Sequence, residues 1–251
     1  MKATFNYEMA VYFSWLAGMG LVYLWKKFLP AQWPVFNKPV FQKPLREFIY
    51  ALLVSLALVS LSTAREFLRS LLGAGGLSWT LRILIIYSPI FIYLAVTKQK
   101  LSTCFISLDK IQYKMIAGLF AALVSGYIFI IIIGNTDYPA FLRYTWNEAN
   151  VGAQVLQTFL EGVAVGFLVY RLFALLNPHL ASLIVAVIFM LGHIQSYTVE
   201  LGHSGIEATI LIIAHTGITY VILLFLNKTQ DLISIFFLHW FINAASGFTS
   251  V

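Results

Sequence analysis

Long apolar runs, each near the length of a membrane crossing, alternate along this chain with short polar connections. A crossing takes about 20 mostly apolar residues, and windows of that kind fall at 9–27, 47–64, 79–97, 114–134, 151–175, 180–198, 205–226 and 229–247. The pattern predicts an all-α fold, a polytopic membrane bundle of eight transmembrane helices forming a single domain over 1–251. The third window holds Arg82 near one end, where a long side chain can snorkel to water. Ahead of it, REFLRSLL sets Arg65 and Arg69 four apart beside a Leu and Phe stripe, so 65–76 reads as an interfacial helix closed by the GAGG turn. Connections are short apart from 28–46, where Pro30, Pro34, Pro39 and Pro44 forbid a long helix.

Composition supports the membrane reading. Of 251 residues 60% are hydrophobic and 10% charged, with a mean hydropathy of +0.85, far beyond an ordinary soluble domain. The net charge of +6 does not point to nucleic acid, because Lys and Arg collect between the apolar windows. Lys26, Lys27, Lys38, Lys43 and Arg46 lie in the first connection, and Lys98, Lys100, Lys110 and Lys114 in the third. Those odd-numbered connections are expected to be cytoplasmic, which puts both termini outside; membrane lipids are the expected surroundings, in a prokaryotic plasma membrane. The first apolar stretch is followed by Lys26 and Lys27 with no small-residue cleavage site, and reads as a helix, not a signal peptide. Cys104 is the only cysteine, so no internal disulfide can form.

Against this apolar background, TFLEGVAVGFLVYRLF sets Glu161 inside a membrane window, where a charged carboxylate costs several kcal/mol unless neutralised or paired. Later windows add His193, His215, His239 and Asn243. At about 1.5 Å per residue, Glu161, His193, His239 and Asn243 lie roughly 15, 8, 12 and 6 Å from the outer ends of their helices, an overlapping depth. His239 and Asn243 share a helix face, and Phe189 stands one turn before His193, beside its imidazole. Gly192 would let another backbone approach. An acid with imidazoles at one depth marks a functional site. His215 taken alone is more simply a helix-to-helix hydrogen-bonding residue, and Gln157, Thr158 and Thr216 read as packing or back-bonding residues. Neither a serine nor a cysteine nucleophile has a matching arrangement. Zinc held by Glu and two His is a minority alternative lacking an HExxH helix, so no cofactor is expected.

FMLGH, Phe189–His193, and HWFIN, His239–Asn243, resemble the FxxxH and HxxxN motifs of the CAAX-protease and bacteriocin-processing family, glutamic intramembrane proteases related to the Ras-converting endopeptidase. The resemblance covers roughly 110–247, with 109–247 as the motif-bearing core and 1–108 supplying the N-terminal spans and the interfacial helix. The family's first motif, EExxxR, is incomplete here. If Glu161 takes its first acidic position, Gly162 and Gly166 replace the second Glu and the Arg; if it takes the second, Leu160 and Val165 stand in for the first Glu and the Arg. Arg171 is a candidate substitute for the missing Arg, though snorkelling to the cytoplasmic edge is its simpler role.

The resemblance implies peptide hydrolysis without metal or covalent intermediate. Glu161, aided by His193, would deprotonate a water, with His239 and Asn243 holding the oxyanion and Phe189 and His215 contacting a peptide or lipidated-protein substrate. The outward depth of the site favours peptide processing or sorting over CAAX cleavage. Two other readings stay open: an inactive member acting as a membrane scaffold or immunity-type protein, and a proton-coupled transporter.

Overall fold

The computed structural model describes residues 5–29, 41–73, 75–135, 137–147, 151–191, 193, 194, 198, 205–245 and 248, and among them the regular structure is all helical. The elements are α1 (Phe5–Phe28), α2 (Pro44–Thr63), α3 (Arg65–Leu72), α4 (Gly76–Val96), a 3-10 turn (Leu101–Cys104), α5 (Ile111–Ile132), α6 (Tyr138–Asn147), α7 (Val151–Leu175), α8 (Pro178–Leu191), α9 (Gly205–Thr229) and α10 (Leu232–Ala245). Each apolar window has its helix, and a short helix, α3, stands where the interfacial one is expected, ended at Gly73 by a φ of +87° that suits glycine. Pro30, Pro34, Pro39 and Gly192 lie outside the described residues.

Among the described residues five helices are long and apolar enough to cross a membrane, within Pro44–Thr63, Leu77–Val96, Ile111–Ile132, Gln154–Leu175 and Gly205–Thr229, which fits a multi-pass membrane protein. On α2 Ala51 is the buried residue, while Leu45, Ile49, Leu53, Leu56 and Val59 point outward at helical spacing. In water such a face would be costly; in hydrocarbon it is the solvated one. One element departs from expectation: the connection after α5 contains α6, started by Asp137, whose Oδ1 accepts from the Ala140 N–H at 2.8 Å.

Helices α1, α5 and α10 approach closely because α5 presents small residues. Ala117, Gly118, Ala121, Ala122, Ser125 and Gly126 are all buried. A Cβ on Gly118 would lie 2.8 Å from Ser234 Cα, and one on Gly18 of α1 would collide with a Leu238 methyl. Such contacts replace the hydrophobic drive that helices lack in lipid. The turn between α9 and α10 is fixed by Asp231, whose Oδ1 accepts from the N–H of Ile233 at 3.0 Å and of Ser234 at 3.4 Å. Burial pushes the Asp231 carboxyl above its ordinary value, against the opposing pull of the Ser234 hydroxyl and Lys114. Lys114, grouped by sequence with the loop cations, is buried, and its Nζ donates to the Ser107 carbonyl at 2.7 Å.

Neither arginine assigned by sequence to snorkelling reaches water. Arg82 is buried and donates from Nη1 to the Gly73 carbonyl at 2.7 Å, satisfying an acceptor left over at the end of α3. Arg171 is wholly buried: Nη1 donates to the Phe167 carbonyl at 2.8 Å, Nη2 to Gln99 Oε1, and Nε stands 3.8 Å from Glu47 Oε2. That Glu47 oxygen also accepts from Tyr93 Oη at 2.7 Å and Gln99 Nε2 at 2.8 Å. Internal partners make burial tolerable, and the network ties α2, α4 and the 97–110 connection to α7.

Candidate active site

Glu161 sits mid-way along α7, and Gln157, one turn earlier on the same face, donates from Nε2 to Glu161 Oε1 at 2.7 Å. Gln157 is thus more than the packing residue expected from the sequence: its amide orients the acid. Thr158, read the same way, is buried and accepts from Asn243 Nδ2 at 3.4 Å, linking α7 to α10. Thr216 does back-bond, to Ile212 at 2.8 Å.

His193 lies just beyond α8, its backbone N–H held by the Met190 carbonyl at 2.9 Å. Its Nδ1 is 2.9 Å from the Phe189 carbonyl. A carbonyl only accepts, so Nδ1 carries the proton, which leaves Nε2 as the outward-facing ring nitrogen for further contacts. Phe189 packs on this imidazole with ring centroids 4.4 Å apart. His215 of α9 completes the group, 5.4 Å from His193, 6.0 Å from Phe189 and 5.9 Å from Tyr12 by ring centroids. On α10, His239 lies against Trp15 at 5.3 Å.

All six residues singled out from the sequence, Glu161, Phe189, His193, His215, His239 and Asn243, line one cavity of about 500 Å³ enclosed by α1, α7, α8, α9 and α10. That size suits a small ligand or a short stretch of peptide. Glu161, Phe189 and His193 also border a second cavity of about 250 Å³, whose other wall includes Leu58, Val59 and Ser62 of α2 and Tyr87 of α4. Among the described residues no three His, Cys, Asp or Glu converge so as to hold a metal ion.

The sequence reading missed the wall supplied by α1. Tyr7, Glu8, Tyr12 and Trp15 reach the main cavity, and the spacing of Glu8, Tyr12 and Trp15 is that of a single helix face. That spacing was available as a signal, but only packing shows which helices the face meets.

The glycines around Glu161 have a structural cause. A Cβ on Gly166 would lie 2.8 Å from the Cys104 carbonyl oxygen, and one on Gly162 would lie 3.2 Å from Leu232 Cδ1. The 101–107 segment is thus pressed into α7 at Gly166, with Cys104, Phe105 and Ile106 buried. It is held there by the Leu232 N–H, which donates to the Phe105 carbonyl at 3.1 Å. Of the residues in the alternative register, Leu160 is buried and Val165 borders both cavities. Compared with protein-family models, curated proteins and solved structures, the chain matches none.

Proposed function

We propose that the protein is an intramembrane glutamic endopeptidase that cleaves a membrane-associated peptide, built on eight crossing helices: α1, α2, α4, α5, α7, α8, α9 and α10. The observation that carries this reading is the convergence of Glu161, His193, His239 and Asn243 on one cavity from separate parts of the chain. The two short crossings, α8 and α10, have 14 residues each, about 21 Å of helix.

In this mechanism the Glu161 carboxylate, oriented by Gln157, takes a proton from a water as its oxygen attacks the scissile carbonyl. His193 holds that water through Nε2. His239 and Asn243 donate to the oxyanion that forms. When the tetrahedral intermediate collapses, the C–N bond breaks and the leaving amine recovers the proton from Glu161. The chemistry asks no metal of the site, because base and oxyanion donors are protein groups. The substrate class is a membrane-embedded or membrane-proximal peptide, and the outward depth of the site favours processing or sorting over CAAX cleavage.

The test is cleavage, read by mass spectrometry, of a mixture of hydrophobic and lipidated peptides by the protein in nanodiscs. Glu161→Gln and His193→Ala are expected to lose on the order of a hundredfold or more in rate, and Asn243→Ala about a hundredfold. Cleavage indifferent to Glu161→Gln overturns the reading.

One observation favours a second reading, a non-catalytic scaffold or immunity-type protein: the Cys104 carbonyl fills the place at Gly166 where one register of EExxxR needs an arginine. Full cellular function in a Glu161→Gln strain would select it.

A further inference from the structure

We infer that the cavity recognises a cationic peptide, with Glu8 of α1 binding a protonated amine or guanidinium a few residues from the scissile bond. This rests on the peptidase reading of the same cavity and names its substrate class.

The cavity lining is one-sided in charge. Among the described residues that line it are the carboxylates Glu8 and Glu161 and neither a lysine nor an arginine. Glu161 is engaged by Gln157, whereas no hydrogen bond or ion pair joins Glu8 to a described residue. Glu8 is half-buried in a mostly apolar wall, and a carboxylate there without a counterion is costly. A substrate cation would supply the missing partner. Tyr7 and Tyr12, on either side of Glu8 along α1, line the same space, and aromatic side chains are compatible neighbours for a cation.

Position gives the inference its register. Trp15 of α1 packs on His239, and Tyr12 on His215. Glu8 lies on the same face seven residues before Trp15, roughly 10 Å along the axis towards the start of α1. An extended peptide advances about 3.3 Å per residue. A bond held between Glu161 and His239 therefore places the side chain about three residues away at Glu8.

The experiment compares binding of two dye-labelled, acetylated Ala/Leu peptides, identical except for one Lys or norleucine, to the protein in nanodiscs by fluorescence anisotropy. The wild type should bind the Lys peptide about tenfold more tightly. Glu8→Gln should bring the ratio near one, Glu8→Asp should retain it, and Glu8→Lys should invert it in favour of the norleucine peptide. Equal binding of the two peptides by the wild type, or a ratio undiminished in Glu8→Gln, overturns the inference. Glu161→Gln separates the two readings: it should keep the binding ratio while losing cleavage. Cleavage that survives Glu161→Gln defeats the peptidase reading and leaves the ratio as an independent measure of the cation subsite.

Discussion

Gln157 and Glu161 are bonded to one another across a single turn of α7, amide to carboxylate at 2.7 Å. The pair explains how an apolar helix holds an acid in one orientation: the bond fixes one oxygen of a side chain that lines the cavity. If the protein is the proposed peptidase, replacing Gln157 by Leu should preserve folding and lower turnover by about tenfold, the worth of one hydrogen bond to a charged group. Gln157→Glu should be worse, because it sets two carboxylates in contact. Peptide cleavage rates beside size-exclusion profiles check both, and an undiminished rate in Gln157→Leu would remove the positioning role.

Gly166 and Gly162 should differ sharply when replaced by alanine. At Gly166 the new methyl meets a backbone oxygen at 2.8 Å, which can yield only if the 101–107 segment moves; at Gly162 it meets the end of the Leu232 side chain at 3.2 Å. Gly166→Ala is expected to cost about 1–3 kcal/mol, and Gly162→Ala less than 1. Thermal denaturation in one detergent gives the order, and equal midpoints for the two variants would contradict the close contact.

Arg171 should tolerate neither removal nor replacement by lysine. Its guanidinium serves the Phe167 carbonyl, Gln99 and Glu47 together, and a lysine ammonium cannot reproduce that fork. Breaking a buried pair by removing one partner costs about 3–5 kcal/mol. Glu47→Gln alone should cost less, since its carboxylate is partly exposed, and the double variant should fall short of the sum of the two. Strict additivity would show that the two residues do not act together.

Cys104 should resist alkylation in the folded protein. Its side chain is fully buried, and burial pushes the thiol up to about 11 from an ordinary value of 9.0, despite the opposing pull of nearby Arg171. At pH 8 the folded thiolate fraction is about one in a thousand. Because the folded value lies above the unfolded one, this group's contribution to stability is complete below pH 9 and is lost as pH rises towards 11. Iodoacetamide labelling followed by mass spectrometry should show modification only after denaturation, and rapid labelling of the native protein would refute the burial.

The helices were legible because each is a long apolar run between polar ends; the window at 151–175 and α7 coincide. The gathering of Glu161, His193, His239 and Asn243 was legible too, since helical rise converts sequence position into depth. Depth is not azimuth, however. Glu8, Tyr12 and Trp15 form a face visible in the sequence, but the helix they meet depends on packing, which here follows from Gly18 and the small residues of α5. Arg171 illustrates the same limit: snorkelling and burial differ only in whether a partner exists, and that partner, Glu47, is supplied by a helix far back in the chain. The α6 segment escaped because YPAFLRYTWN is short and mixed in polarity.

Helix α2 has consequences for access. It buries Ala51 and otherwise meets the bundle through half-buried side chains and the Glu47 network near its start, while Leu58, Val59 and Ser62, near its far end, wall the smaller cavity beside Glu161 and His193. A panel pinned near one edge swings from the other. The least buried of the five long apolar helices among the described residues thus stands beside the acid, and a displacement of α2 by a few ångströms would open the smaller cavity sideways without disturbing the α1, α5 and α10 packing that positions His239 and Asn243.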